Sequence, residues 1–269
     1  MKTRIISGII MGVLVAAVFA LGFLWAPIII SIAVSLLAAV AACELLHNAA
    51  GIKDIQSVVG ACFFTFLITI QNYVTTDFKQ SLMIIFFISV VYSIYAAIMV
   101  LKNHGKFGLG RIMALYSVPI IYGVAFSCLE GIVTSSSGIY YLLLLLNFSS
   151  VCDMGAYFVG VTLGKHKLCP KISPKKTVEG AIGGILASLI VTMILSYYFD
   201  KTMWIMLIAT IPFCILGMIG DLFASAIKRA VDIKDYGNLI PGHGGVMDRL
   251  DSIIMIVPTM YALILLSVI

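Results

Sequence analysis

Residues 81–101, SLMIIFFISVVYSIYAAIMVL, run for 21 positions without a charged side chain. A helix of about twenty such residues, rising about 1.5 Å per residue, matches the roughly 30 Å hydrocarbon core of a bilayer. Backbone N–H and C=O groups have no water to bond there, so only helices and closed barrels are admissible. The apolar residues come in continuous runs, not in the period-two alternation of a barrel strand. Comparable runs lie at 5–25, 27–47, 57–73, 112–129, 138–161, 180–199, 203–224 and 252–269. The pattern predicts an all-α, polytopic integral membrane protein with about nine transmembrane helices. A composition that is 62% hydrophobic and 11% charged agrees, because it leaves too little polar surface to cover a water-soluble core. The run at 5–25 follows Lys2 and Arg4 as a secretory signal would. It exceeds a typical signal core and further spans follow, so it reads as the first membrane helix.

The placement of the 17 Lys and Arg residues tests this assignment, because cytoplasmic loops carry the excess. With nine helices, only Lys79 and Lys201 fall on one side and the other 15 share the opposite side. The predicted N-terminus is therefore cytoplasmic, and the two long polar loops, 162–179 and 225–251, share the cytoplasmic face. The net charge of +5 is explained by topology and gives no reason to expect nucleic acid. The six cysteines are scattered without C-x-x-C spacing and read as small buried hydrophobes. No repeat, low-complexity tract or soluble domain is visible. The chain reads as a single transmembrane domain, with 1–137 as scaffold and lipid access and 138–269 as the catalytic helices and loops.

The last third is chemically distinct. Asp153 lies within the sixth apolar run and Asp221 near the end of the eighth. A carboxylate at such depth costs several kcal/mol unless it faces protein, water or a cation, which marks both as functional candidates. If the eighth helix continues beyond the membrane surface, Ser225 and Lys228 share a stripe with Asp221, and Arg229 stands beside it. The same basic pair also fits side chains snorkelling toward lipid phosphates. In IPGHGGVMDRLD, residues 240–251, Pro241, Gly242, Gly244 and Gly245 prescribe an irregular turn. Its amides can cradle phosphate oxygens. Asp248 and Asp251 follow on one face of the helix that begins there, where an acid can equally serve as a dipole partner. In the loop 163–180, Lys165, Lys167, Lys171, Lys175 and Lys176 form a cationic set facing these acids. Singly, each fits the positive-inside rule; together they resemble an anion clamp. Ser173-Pro174 and Thr177 through Glu179 read as a turn followed by a helix start. Carboxylates beside a lysine loop fit a hard cation carried by a polyphosphate, and oxygen ligands suit Mg²⁺. A zinc site would need more His or Cys than His243 has nearby.

The segment SAIKRAVDIKDYGNLIPGHGGVMDRLD, residues 225–251, closely resembles the signature of the phosphatidate cytidylyltransferases: S-x-x-K-R, K-D, P-G-H-G-G and D-R-x-D at fixed spacing. The upstream CDMGAYFVGVTLGKHKLCPKISPKKTVEGAIGG is similar to the same family, so the likeness covers about residues 150–255. Two positions depart from the pattern. Ala224 stands where the family usually has glutamate, and Val178 where it has tryptophan. The first puts cation number and affinity in question more than the reaction.

The resemblance implies transfer of a cytidylyl group from CTP to phosphatidic acid, giving CDP-diacylglycerol and pyrophosphate, at the cytoplasmic side of the cell membrane. It implies Mg²⁺ held by Asp221 and Asp248, with room for a second divalent or monovalent cation. Lys228, Arg229 and Arg249 would hold phosphates. Lys175 and Lys176 would reach the triphosphate or the lipid head. Ser225, Asp153 and Asp251 would complete the site, with Asp251 behind the metal or on it. His243, with Gly244 and Gly245, would donate to a phosphate or shape the turn. The resemblance allows a homodimer, although no helix face marks an interface. Two other classes remain open on sequence alone: a CTP-dependent lipid kinase of the polyprenol or phytol type, and an ion-coupled transporter.

Overall fold

The computed structural model describes residues 8, 10, 12, 13, 15, 17–22, 25–75, 77–103 and 105–269. Of the predicted helix at 5–25, residues 5–7, 9, 11, 14, 16, 23 and 24 lie outside this description, and residues 8, 10, 12, 13, 15 and 17–22 are helical. Seven segments among the described residues are long and apolar enough to cross a bilayer. They correspond to the predicted runs from 27–47 through 203–224, with ends that differ by a few residues. We label the helices α1 (Ile28–Glu44), α2 (Ile55–Val74), α3 (Phe78–Lys102), α4 (Leu109–Val133), α5 (Gly138–Leu146), α6 (Cys152–Leu163), α7 (Val178–Tyr198), α8 (Met203–Ala230) and α9 (Met247–Leu265). Short π-helical turns extend α1 over Leu45–Ala49 and join α5 to α6 over Asn147–Val151. The predicted ninth helix corresponds to α9, which begins five residues before the expected 252 and has Asp248, Arg249 and Asp251 in its first turns.

The loop before α7 differs from its sequence reading. The predicted turn at Ser173-Pro174 is part of a hairpin, in which β1 (Lys167–Cys169) pairs antiparallel with β2 (Ser173–Thr177). A two-stranded ribbon carrying Pro174 shows little strand propensity, because proline donates nothing to the ladder. The helix start after Thr177 is present: its hydroxyl accepts from the Gly180 amide at 3.1 Å and caps α7.

The chain divides into two compact units. The first comprises residues 1–131 with 231–249. Its core gathers Leu46, Ile52, Val58, Ala61, Tyr92 and Leu115 from α1, α2, α3 and α4 and the segment after α1. The Tyr92 hydroxyl, buried in that core, donates to the Leu115 carbonyl. Gln71 and Asn72 bind the far ends of α2 and α4, donating to the Ser127 hydroxyl at 3.2 Å and the Ser127 carbonyl at 2.6 Å. In hydrocarbon such side-chain bonds supply attraction that apolar contact cannot, since lipid competes equally for apolar surface.

The second unit comprises 132–230 with 250–269. Its tightest packing joins α6 to α7 through small residues. A Cβ on Gly155 would lie 2.7 Å from the Ala187 methyl, and one on Gly180 would lie 2.6 Å from the Ala156 carbonyl. The backbones can come this close only because those side chains are absent. Asn147, in the π turn, donates to the Ser188 carbonyl at 3.1 Å and the Thr192 hydroxyl at 3.0 Å. Thr192 bonds in turn to Thr210 at 2.9 Å, so one polar chain fastens α7 and α8 to the bend between α5 and α6.

Candidate active site

α8 is unbroken from Met203 to Ala230, six residues beyond the predicted end. Asp221, Ser225 and Lys228 therefore share the stripe that helical spacing required, with Arg229 exposed beside it. Gly220 sets what faces Asp221. A Cβ there would lie 2.7 Å from the Asp251 carbonyl oxygen, so the missing side chain lets α9 run against α8. Asp251 is thereby buried within electrostatic range of Asp221 and Asp153, with Lys228 of opposite sign beside it. Asp153, at the start of α6, interacts with the same Asp221 and with Lys176.

Lys176 reaches this cluster because the hairpin is fastened at its base. Glu179, in the first turn of α7, accepts from the Lys165 amide at 3.1 Å, the His166 amide at 3.2 Å and the His166 ring at 2.6 Å. The chain must then return through β2 beside α7, which directs Lys176 inward. Its ammonium forms an ion pair with Asp221. That nitrogen is shut off from solvent and makes no hydrogen bond besides. An ammonium carries three donors, so such a site favours additional acceptor oxygens. Lys175 is exposed on the opposite face of the strand. Both lysines border a cavity of about 210 Å³ with Asp153, Tyr157, Thr177 and Asp221.

The acids supply an all-oxygen donor set. Among the described residues no three His, Cys, Asp or Glu side chains form a closed metal cage. An all-oxygen donor set suits Mg²⁺, which commonly takes one or two carboxylates and fills its octahedron with water and substrate phosphate. Lysine ammonium and carboxylate side by side can bind a phosphate chain and the cation that travels with it.

The other predicted site residues belong to the loop of the first unit. Ile240 and Gly244 form an isolated bridge, with the Ile240 amide 2.9 Å from the Gly244 carbonyl, and Gly244 has φ +84°. That backbone conformation is open to glycine and strained for most other residues. The Asp248 carboxylate turns back onto the loop, accepting from the Tyr236 amide at 2.8 Å and the Gly245 amide at 2.9 Å. Sequence reading expected glycine-turn amides to face phosphate. The Gly245 amide faces the Asp248 carboxylate, three residues later. His243 and Gly244 are half-buried within the turn, and Arg249 is exposed. Sequence reading did not identify Glu44, which accepts from the Val246 and Met247 amides at 3.0 and 2.9 Å. Its signal was available: an acid inside an apolar run, the same criterion that selected Asp153 and Asp221.

A model of the cytidylyltransferase family matches residues 2–267. The chain belongs to the cytidylyltransferase family. The likeness thus extends beyond residues 150–255 into the first helices. Relatives of this family member include a phosphatidate cytidylyltransferase of Staphylococcus haemolyticus (strain JCSC1435), 34% identical over 236 residues, covering 86% of this chain and 87% of the relative. A phosphatidate cytidylyltransferase of Staphylococcus aureus (strain COL) is 33% identical over 273 residues, covering 99% of this chain and 100% of its own.

Lys175 gives this site a direct test. Lys175→Ala is expected to raise the KM for CTP or for phosphatidate by about tenfold, the scale of one charged hydrogen bond, with a smaller change in kcat. Steady-state kinetics with each substrate varied in turn measures it, and unchanged KM values for both would remove the residue from the binding surface.

Proposed function

We propose that the chain catalyses attack of the phosphatidate phosphate on CTP, yielding CDP-diacylglycerol and pyrophosphate. The observation that carries this reading is the Lys176–Asp221 ion pair bordering a cavity, with Asp153 and Asp251 in electrostatic range. A lysine beside several carboxylates supports it, in a family whose relatives are named phosphatidate cytidylyltransferases. A phosphatidate oxygen forms a bond to the α-phosphorus of CTP as the bond from that phosphorus to the bridging oxygen of the β-phosphate breaks. The phosphate nucleophile is already largely ionised near neutral pH, so no strong general base is required. The obstacle is bringing two anions into line. Lys176 offers spare donors to phosphate oxygens, and Lys175 holds the outer end of the same chain. Lys228, Arg229 and Arg249 supply further positive charge, while Ser225 lies on the Asp221 stripe. Asp251 and Asp153 keep Asp221 in a strongly negative environment that favours a cation.

Asp221 and Asp248 are each proposed as Mg²⁺ ligands, with a second cation allowed. When bound, the cation neutralises phosphate oxygens and stabilises the departing pyrophosphate. The site faces the cytoplasm of the cell's inner membrane in this reading, because 15 of the 17 basic residues then lie on the cytoplasmic side. CTP would enter from water and the lipid sideways from the leaflet. The functional protein is free to act as a homodimer.

Purified chain incubated with phosphatidate and either α-labelled or γ-labelled CTP, with and without chelator, tests the proposal. Label from the α position alone should enter lipid, and chelator should stop it. Transfer of γ-label would identify a lipid kinase, and transfer of neither, a carrier.

A further inference from the structure

Glu44 and Asn48 stand one turn apart where α1 passes into its π-helical end. Both hydrogen-bond the loop carrying the family signature. The Glu44 carboxylate spans the Val246 and Met247 amides, the first donors of α9. Asn48 donates to the Tyr236 carbonyl at 2.6 Å. The amide of that same Tyr236, whose side chain is fully buried, donates to Asp248. Gly237 and Gly245 lie so close that a Cβ on either would collide with the Glu44 carboxylate; for Gly237 the separation from Oε1 would be 2.5 Å. Two loop glycines thus make room for one side chain.

A helix start ordinarily takes its cap from a neighbouring Ser, Thr, Asn or Asp. Here the acceptor comes from a residue 202 positions earlier in the chain. It also places a second buried carboxylate near that of Asp248, an arrangement that repels and that four amides, from Tyr236, Gly245, Val246 and Met247, must offset. Packing alone would be served by a local, neutral cap. A π turn, which is uncommon and concentrated at functional sites, presents Glu44 and Asn48 together on this loop.

We propose that Glu44, supported by Asn48, is a positioning residue for cytidylyl transfer, which fixes the Tyr236–Met247 loop and so presets the carboxylate of Asp248. The inference rests on the functional reading above for Asp248, but the clamp itself is a separate observation.

Glu44→Gln keeps the length and shape of the side chain while replacing one acceptor oxygen with a donor that faces an amide. In full-length enzyme it is expected to lower kcat about tenfold or more, the scale of a charged hydrogen bond, with the KM for CTP changed less than about twofold. The Mg²⁺ concentration giving half-maximal rate should rise, and trypsin should cut after Lys234 faster well below the unfolding temperature. Glu44→Asp, one methylene short of the amides, should fare no better than Glu44→Ala. A Glu44→Gln enzyme with kcat within twofold of wild type, or one changed only in KM, overturns the proposal. Should Glu44→Ala fail to fold, Glu44→Gln decides the question, with Asn48→Ala loosening the same loop from its exposed side. Wild-type enzyme that transfers no α-label would sink the functional reading, whereas the trypsin comparison would still report on the clamp.

Discussion

Asp221→Asn is expected to reduce cytidylyl transfer by about a thousandfold, the scale seen when one preorganised electrostatic group is removed from a site of developing charge. The physical reason is the balance around that carboxylate. Asp221 pairs with Lys176 and shares its surroundings with Asp153 and Asp251. Neutralising it leaves Lys176 without its ion-pair partner and removes one negative charge from the cluster. The substitution is nearly isosteric and the residue is half-exposed at the cavity, so folding should survive. Transfer of α-label from CTP into lipid measures the effect, with size-exclusion chromatography in detergent as the folding control. A variant that folds and retains most of its activity would remove Asp221 from the proposed metal centre.

Asp248→Asn should lower turnover by at least about a hundredfold, and through two routes at once. The charge proposed to hold Mg²⁺ is lost. Oδ2 also accepts from the Tyr236 and Gly245 amides, and an amide side chain satisfies both only while its oxygen keeps that place. The two routes separate in a Mg²⁺ titration combined with proteolysis. If only the charge matters, excess Mg²⁺ restores part of the rate and trypsin cuts the loop no faster. If the loop loosens, cleavage after Lys234 accelerates and added cation restores nothing. Activity close to that of wild type would overturn both roles.

Much of the architecture was legible because a bilayer imposes length and backbone satisfaction on any chain that crosses it. The run at 81–101 appears as Phe78–Lys102, and the run at 203–224 continues, as the Asp221–Ser225–Lys228 stripe required, to Ala230. Thr177 capped its helix as its residue type foretold. The hairpin was illegible: KLC and SPKKT have no alternation to announce strands, and Glu179 holds their base from α7. The start of α9 at Met247 was displaced from its hydropathy because its first amides are capped by acids, one of them from α1.

The sequence by itself determined a helical membrane protein, its family, and the acids and lysines that carry charge, because hydrocarbon tolerates charge only where it has a use. Which charges meet was decided by tertiary structure. Lys176 finds Asp221 through a hairpin fastened by Glu179, and Asp251 reaches the same acid because Gly220 yields space. Glu44 caps a helix whose leading Val246 amide lies 202 positions later. Local spacing constrains neighbours along one helix, whereas contacts between distant segments depend on backbone approach, which no residue pattern in a single chain encodes visibly.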